Sequence, residues 1–303
     1  MKILFSFPGQ GAQRPGMLQQ LPGGAALLDE ASEILQQDAR QLDGATALQH
    51  TRAVQLCLLI AGVAHARELR RQGIDADMTC GLSIGAFPAA VVAGALPFSD
   101  AVRLVALRGT LMEEAYPEGY GLTAIIGLRE AQLVPLLGSE CWLANINSPL
   151  QMVIAGSEAA MSAVATRARA AGAQKIHRLA VSVPSHCALL AEPAARLADA
   201  FRSVSLTRPS CAYLSGSTAR AMWQPEQIAD DLANNMARTV RWHEAMVAAN
   251  EREVRLAIEM PPGATLTGLT RVAFCGCPGE AVSLEQSGEL LVRRLAERLR
   301  AAS

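Results

Sequence analysis

The sequence lacks any excess of charge of one sign, which excludes several classes of partner. Its 27 basic residues nearly balance its 28 acidic ones, so the formal net charge is −1 at pH 7. Proteins whose main partner is nucleic acid or an anionic membrane surface usually carry a basic excess or basic blocks. We therefore expect no nucleic-acid or membrane partner and favour a small-molecule or protein substrate.

Long apolar runs are also missing. No stretch approaches the ~20 apolar residues that a membrane-spanning helix needs. The opening MKILFSF reaches Pro8 and Gly9 too soon to contain the apolar segment of a signal peptide, and no small-residue cleavage site follows. We interpret these residues as a first β-strand and expect a cytoplasmic protein.

Paired cysteines are scarce too. The seven cysteines are odd in number and mostly stand in apolar contexts, which is typical of reduced thiols in the cytoplasm. Cys275 and Cys277 form the only close pair, and no second pair or nearby histidine completes a zinc site. We predict neither a metal site nor a permanently bound cofactor.

The residues that are abundant predict an α/β fold. Half of the chain is hydrophobic and 18% is charged, so it can bury a sizeable core. In residues 1–119, strand-like runs such as KILFSF and DMTCGL alternate with alanine- and leucine-rich helical stretches, and the same rhythm returns over 187–303. This alternation is typical of a parallel sheet covered by helices.

Residues 120–186 follow a different order. They are predicted as strand LTAIIGL, helix REAQLVPLL, strands CWLANIN and QMVIAG, a helix from Ser157, and strand KIHRLAVS. This β-α-β-β-α-β order belongs to the ferredoxin-like split unit. We therefore predict a ferredoxin-like small subdomain inserted into a larger α/β subdomain, with a cleft between the two.

The stretch GLSIG, residues 81–85, places one serine between two glycines after a predicted strand. This G-x-S-x-G pattern is typical of a nucleophile on a sharp strand-to-helix turn, where the glycines leave room for the backbone. The alternative is that Ser83 only caps the following helix. Because a serine hydroxyl is a weak nucleophile, the catalytic interpretation also requires a base within hydrogen-bond distance.

Five histidines could supply that base. His186, in VSVPSHC, follows a strand, a proline and a serine at the predicted subdomain boundary, where catalytic loops commonly lie. For the others we expect structural or surface roles: His50, His65, His177 and His243. The sequence therefore favours His186.

Arg108 is a charged residue at a position that is predicted to be buried. In the helix predicted over 99–116 it lies on the apolar stripe, with Leu104 four residues before it and Leu111 and Met112 after it. A buried guanidinium is costly unless an anion meets it. Either an internal carboxylate or an acidic substrate is therefore expected beside Arg108.

The glycine-rich loop FPGQGAQ, residues 7–13, follows the first predicted strand. It does not end in G-K-[ST], and Arg14 stands where the third glycine of G-x-G-x-x-G would be, so nucleotide binding is disfavoured. A glycine-rich backbone can instead donate N–H groups to a negatively charged oxygen.

Six stretches together resemble the malonyl-CoA:acyl-carrier-protein transacylase family. They occur in the family's order from about residue 3 to residue 270: FPGQGAQ, GLSIG, LRGTLMEEA, NINSPLQMVIAG, VSVPSHC and PPGATLTGLT. The resemblance implies an α/β-hydrolase-like core with a ferredoxin-like insert. It also implies an acyltransferase that moves a malonyl group from malonyl-CoA to the thiol of an acyl-carrier protein's phosphopantetheine-type arm, through a malonyl-serine intermediate.

The resemblance implies roles for individual residues. The nucleophile falls on Ser83, the base on His186 and the carboxylate-binding arginine on Arg108. The backbone N–H groups of Gln10 and Ile84 would form the oxyanion hole. Three supporting residues are also implied: Gln55 beside the arginine, Asn235 with a backbone carbonyl that orients the histidine, and Asn147 in NINSPLQMVIAG.

The serine motif departs from the family pattern. The family usually shows G-H-S-x-G-E, whereas this chain has Leu82 and Ala86 in place of the histidine and the glutamate. The variant GLSIGA is similar to the malonyltransferase (epsilon) subunit of bacterial malonate decarboxylase, which loads that system's own carrier protein. We therefore predict malonate decarboxylase, with its other subunits as further partners, and fatty-acid synthesis as the alternative. A serine thioesterase or other hydrolase, and a scaffold without activity, are rival interpretations.

Overall fold

Ten strands and eleven α-helices make up the part of the chain that the structure describes, residues 1–116 and 118–301 of a computed structural model. The strands are β1 Lys2–Phe7, β2 Met78–Gly81, β3 Tyr120–Ile126, β4 Cys141–Ser148, β5 Gln151–Ser157, β6 Lys175–Arg178, β7 Ala212–Leu214, β8 Ala221–Met222, β9 Val254–Glu259 and β10 Glu280–Ser283. The helices are α1 Gly24–Leu35, α2 Thr51–Arg71, α3 Ala86–Val92, α4 Phe98–Ala115, α5 Glu130–Leu133, α6 Glu158–Ala170, α7 Ala191–Phe201, α8 Pro225–Asn234, α9 Trp242–Glu251, α10 Thr265–Ala273 and α11 Leu284–Ala301. Pro117, Ala302 and Ser303, which the predicted subdomain ranges include, lie outside the described residues. Within the described ranges, no helix combines the length and the apolar character that crossing a bilayer requires.

The larger sheet has six strands in the order β10-β9-β1-β2-β7-β8. Side chains of β1 alternate between two cores, with Ile3 and Phe5 on one face and Leu4 on the other, because helices cover both faces. All neighbouring pairs are parallel except β7 and β8. The connection between those two is too short for the crossover that a parallel pair needs. The predicted α/β fold is confirmed, with the correction that one edge strand is antiparallel.

Helices α2 and α4 pack against each other on one face of this sheet. Leu104, Leu111 and Met112 form part of the buried core there. Arg108 lies among them with none of its surface exposed. The predicted burial of this charge is confirmed.

The smaller sheet has four antiparallel strands in the order β4-β5-β3-β6. The first strand of the segment therefore lies between the third and the fourth, as in the ferredoxin-like unit. Helix α6 begins after Ser157, whose hydroxyl accepts a hydrogen bond from the Ala160 N–H at 3.2 Å. Its apolar face, with Val164, packs on Ile154 of the sheet. The predicted split unit is confirmed, and the subdomain boundaries at 119/120 and 186/187 stay a prediction.

Backbone pairing joins the two subdomains beside the segment that follows α8. The Val240 N–H donates to the Ala144 carbonyl on β4, and the Ile146 N–H donates to the Val240 carbonyl, both at 2.8 Å. On the other edge of the small sheet, the Arg178 guanidinium donates to the carbonyls of Leu122 at 3.0 Å and Val181 at 2.9 Å. The chain leaves the sheet there, so β6 is shorter than the predicted strand KIHRLAVS.

Candidate active site

Ser83 lies on a tight turn at the carboxyl end of β2. The strand ends at Gly81, Leu82 is extended, a 3-10 turn covers Ser83–Gly85, and α3 begins at Ala86. Ser83 has φ 56°, a left-handed conformation that side chains other than glycine adopt only with strain. The strand–turn–helix arrangement predicted from GLSIG is confirmed.

Both glycines of the motif are needed because backbone segments touch there. A Cβ on Gly81 would overlap the backbone of Gly85, and a Cβ on Gly85 would overlap the Phe7 carbonyl. The Leu82 N–H also donates to the Phe7 carbonyl at 3.0 Å. These contacts hold the glycine-rich loop after β1 against the serine turn.

His186 lies within hydrogen-bond distance of Ser83. Its Nε2 is 2.9 Å from Ser83 Oγ, while its Nδ1 is 2.8 Å from the Asn235 carbonyl oxygen and 3.2 Å from the Arg238 carbonyl oxygen. Carbonyl oxygens only accept, so Nδ1 carries the ring proton and Nε2 is able to accept a proton from the serine. The two carbonyls thus select the tautomer that a general base needs.

The surroundings of His186 keep the ring neutral and fixed. The residue is 3% exposed, its backbone has φ 65°, and its N–H donates to the Met236 carbonyl at 2.6 Å. Burial, and then the nearby charge of Arg108, lower the pKa of His186 to about 4. The ring is therefore an available proton acceptor at neutral pH.

Arg108 reaches the same serine from α4. Its Nη2 donates to Ser83 Oγ at 3.2 Å and to Asn235 Oδ1 at 3.0 Å, and its Nη1 donates to Gln55 Oε1 at 2.8 Å. Its Nε is buried and has no hydrogen-bond partner among the described residues. Burial lowers the pKa of Arg108 to about 9, which leaves the guanidinium charged at neutral pH.

All the hydrogen-bond partners that the described residues give this guanidinium are neutral. They are Gln55, Ser83 and Asn235, and burial is the single cause of the pKa shift of Arg108. The internal carboxylate, one of the two alternatives that the sequence left open, is therefore not found in residues 1–116 and 118–301. A buried cation without a counter-ion is a strong candidate site for a substrate anion.

Two amide side chains connect the arginine to the rest of the site. Gln55 Nε2 donates to Gln10 Oε1 at 3.2 Å and to the Met112 sulfur at 3.4 Å. Asn235 Nδ2 donates to the Ser83 carbonyl at 3.2 Å. The structure therefore brings six predicted site residues into one network, which Asn235 joins through both its side chain and its backbone: Gln10, Gln55, Ser83, Arg108, His186 and Asn235.

The remaining predicted residues lie at different distances from this network. Ile84 is the second residue of the turn that begins at Ser83, where a helix leaves N–H groups without intrahelical partners. Asn147 lies on β4, where its Oδ1 accepts a hydrogen bond from Asn145 Nδ2 at 3.4 Å. That bond does not connect Asn147 to Ser83.

Sequence reasoning missed the backbone carbonyls of Met236 and Arg238, which hold the His186 N–H and ring. It also missed the Met112 sulfur as an acceptor for Gln55. Any residue type supplies a carbonyl, so no sequence signal could have identified the first two.

An open groove lies beside this network. It has a volume of about 380 Å³ and is lined by the loop from Gln10, the start of α2 and residues 179–182. In residues 1–116 and 118–301, no three histidine, cysteine or acidic side chains are grouped as a metal site would require.

Comparison with known proteins identifies the family. The acyl transferase domain model matches residues 4–275. The chain is 36% identical over 284 residues to the malonyl CoA-acyl carrier protein transacylase of Escherichia coli (strain K12), covering 89% of this chain and 92% of that protein. Among solved structures, the malonyl CoA-acyl carrier protein transacylase from Coxiella burnetii has 33% identity and a TM-score of 0.91, covering 99% of this chain and 98% of that chain. A malonyl-transacylase solved in complex with its type II PKS acyl-carrier protein has 34% identity and a TM-score of 0.87, covering 93% of this chain and 96% of that chain. The chain therefore belongs to the acyl transferase domain family, in its malonyl-CoA:acyl-carrier-protein transacylase group, and is an acyltransferase.

Proposed function

We propose that this enzyme transfers a malonyl group from malonyl-CoA to the thiol of an acyl-carrier protein, through a malonyl ester on Ser83. The observation that carries the proposal is the position of Ser83 Oγ, 2.9 Å from His186 Nε2 and 3.2 Å from Arg108 Nη2. One neighbour can accept the hydroxyl proton, and the other can hold an anion close by. A thioester with a free carboxylate would use both neighbours, because its carbonyl carbon is attacked by the serine that His186 deprotonates and its carboxylate can bind Arg108.

The first half-reaction forms the acyl-enzyme. His186 accepts the proton of Ser83 while the serine oxygen attacks the thioester carbonyl carbon. We propose that the N–H groups of Gln10 and Ile84 donate to the negative oxygen that forms on that carbon. When the tetrahedral intermediate collapses, the C–S bond breaks and CoA leaves as the thiol, with the proton from His186.

The second half-reaction uses the same groups with a different thiol. The carrier-protein thiol gives its proton to His186, and its sulfur attacks the ester carbonyl. The C–O bond to Ser83 breaks and the serine recovers its proton from His186. Both steps balance with groups of this chain and its substrates, so we propose no permanently bound cofactor and expect ping-pong kinetics.

The groove beside Gln10 supports a shared entry route for both thiols. Its volume of about 380 Å³ falls in the range of small-molecule sites. Among the residues of the Ser83 network, Gln10 lines this groove, and Ser83 is partly exposed whereas His186 and Arg108 are buried. We propose that a flexible arm that ends in a thiol enters beside Gln10 and reaches the partly exposed serine from there.

Arg108 is proposed to bind the malonyl carboxylate. A guanidinium can donate two parallel hydrogen bonds to a carboxylate, a geometry that lysine cannot copy. An acetyl group would leave Arg108 buried without an anion. We expect selectivity for malonyl over acetyl to depend on that penalty as much as on attraction.

A serine hydrolase is less well supported by the contacts of the histidine. Such enzymes usually place an acid next to the histidine, whereas His186 Nδ1 faces two backbone carbonyls. The nearby acids are engaged elsewhere, Asp231 with Tyr213 and Ser215, and Asp230 with Arg238. Release of free malonate without carrier protein, at the rate of transfer, would favour the hydrolase.

The identity of the carrier protein is a separate part of the proposal. The relatives are named as acyl carrier protein transacylases, and this supports a general acyl-carrier protein better than the predicted carrier of malonate decarboxylase. The decarboxylase interpretation rests on Leu82 and Ala86. Parallel transfer assays with the two kinds of carrier would separate them, because the true acceptor should have the higher kcat/KM.

Intact-mass measurement after mixing with malonyl-CoA tests the proposed function directly. We expect one malonyl adduct per chain, mapped to Ser83 by peptide analysis and lost on addition of carrier protein. The ester should form because the carrier-free enzyme can complete only the first half-reaction. An unmodified protein, or an adduct on another residue, would contradict the proposal.

The pH dependence of transfer should reflect the buried histidine. Because His186 must be neutral to accept the serine proton and its pKa is about 4, kcat/KM should stay nearly constant from about pH 7 to about pH 5 and fall as the pH approaches 4. Circular dichroism at each pH would separate this loss from unfolding. A decline centred near the ordinary histidine value, about 6.5, would show that the ring is not held as described.

A further inference from the structure

We infer that acyl specificity depends on an uncharged side chain at position 235, because Asn235 holds Arg108 through a neutral oxygen and so leaves the guanidinium charge available to a substrate carboxylate. The inference rests on the proposed function, in which Arg108 binds the malonyl carboxylate. It concerns the side chain of Asn235, whereas the backbone carbonyl of the same residue holds His186.

The contacts of Asn235 place it between the three central residues. It begins the 3-10 turn that follows α8 and is 3% exposed. Its Oδ1 accepts from Arg108 Nη2 at 3.0 Å, its Nδ2 donates to the Ser83 carbonyl at 3.2 Å, and its carbonyl lies 2.8 Å from His186 Nδ1. Replacing this side chain therefore changes the hydrogen bonds of both Arg108 and the serine turn.

These partners fix the orientation of the amide. Arg108 can only donate and the Ser83 carbonyl can only accept, so the oxygen must face the guanidinium and the nitrogen must face the serine turn. An aspartate has the same shape but offers oxygens on both sides. It would ion-pair with Arg108 and repel the Ser83 carbonyl, whereas asparagine satisfies both neighbours without charge.

Gln55 repeats the same arrangement on the other edge of the guanidinium. Its Oε1 accepts from Arg108 Nη1 at 2.8 Å, and its Nε2 donates to Gln10 Oε1 at 3.2 Å. Two neutral amides therefore orient the cation from both edges. In a buried site an added carboxylate would neutralise Arg108 before any substrate arrived.

The test adds a negative charge at both positions and, at Asn235, compares that change with loss of the contact alone. Asn235→Asp and Gln55→Glu add a carboxylate beside Arg108, whereas Asn235→Ala removes the contact and adds no charge. Rates of Ser83 acylation by malonyl-CoA and by acetyl-CoA would be measured by intact mass for each variant. We expect the malonyl-to-acetyl rate ratio to fall about 100-fold in both acidic variants and to stay within about 3-fold of wild type in Asn235→Ala, although its absolute rates fall.

The outcomes separate this inference from the proposed function. If Arg108→Ala loses malonyl selectivity while both acidic variants keep it, the inference is wrong and the proposed function stands. If Arg108→Ala keeps malonyl selectivity, the proposed binding of the malonyl carboxylate by Arg108 is wrong and the inference fails with it, whereas malonyl transfer through Ser83 is tested separately by the mass of the adduct. An equal loss of the ratio in Asn235→Ala and Asn235→Asp would show a merely structural role and also overturn the inference. Gln55→Glu decides the question if Asn235→Asp does not fold by circular dichroism.

Discussion

Replacing Ser83 with alanine is expected to abolish the malonyl adduct and to lower transfer to the carrier protein by roughly 10⁴–10⁶-fold. The hydroxyl is the atom that forms the ester, and His186 Nε2 lies 2.9 Å from it. Alanine keeps the turn and leaves His186 and Arg108 in place, but it provides no hydroxyl that can be acylated. Intact mass with malonyl-CoA and a carrier-protein transfer assay would measure both effects.

Cys187 offers the matched control, because it is a nucleophilic residue directly beside the histidine. Its thiol is 4% exposed, its Sγ lies 3.2 Å from the Pro184 carbonyl, and burial raises its pKa to about 11. The thiol is therefore a poor nucleophile. Cys187→Ala should keep a full adduct on Ser83, and a full adduct in Ser83→Ala would mean that another residue is acylated.

Replacing Arg108 with alanine is expected to reduce the preference for malonyl-CoA over acetyl-CoA by roughly 10²–10³-fold. In wild type the partners that the described part of the chain gives the buried guanidinium are all neutral, so an acyl group without a carboxylate leaves it uncompensated. Alanine removes both the attraction for malonyl and the penalty for acetyl. Acetyl transfer should therefore be spared or increased while malonyl transfer falls, as single-turnover rates with the two thioesters would show.

Arg103 on the same helix is the control for the loss of a positive charge. It is exposed and pairs with Asp100 three residues away at 2.9 Å, so its removal should leave the malonyl-to-acetyl ratio unchanged. Equal loss of both transfers in Arg108→Ala would remove Arg108 from substrate recognition and assign it a structural role.

Features with a local cause could be predicted from the sequence. GLSIG predicted the turn because steric clearance at Gly81 depends on Gly85, four positions away, although the clearance at Gly85 itself depends on the distant Phe7. The apolar stripe of α4 predicted that Arg108 is buried, because helical periodicity alone sets which face a residue occupies. The order of elements over residues 120–186 likewise predicted the small sheet.

Elements that depend on distant partners were missed. Helix α10 contains three threonines and a glycine, which are poor helix formers. Its first turn is held by Glu259, whose carboxylate accepts from the N–H groups of Leu266 at 3.0 Å and Thr267 at 2.6 Å.

Strands β8 and β10 are too short to show a pattern and form only against β7 and β9. KIHRLAVS was predicted too long because Arg178 binds the carbonyls of the residues that follow it.

Residue patterns also could not predict which distant residues come into contact at the site. Ser83 and Asn235 are separated by 152 residues, yet a hydrogen bond joins them. The resemblance suggested that Asn235 acts through its backbone, and the structure adds a side chain that bridges Arg108 and the serine turn. Only the folded chain reveals that bridge.

The left-handed backbone at Ser83 and at His186 has a consequence for anyone who improves this enzyme by selection. Each conformation of this kind costs about 1–3 kcal/mol, against a total stability of only about 5–15 kcal/mol for a typical domain. Glycine would relieve the strain at either position while removing the reacting group. Libraries screened for heat resistance alone would therefore tend to enrich inactive proteins, and turnover has to be scored in the same round.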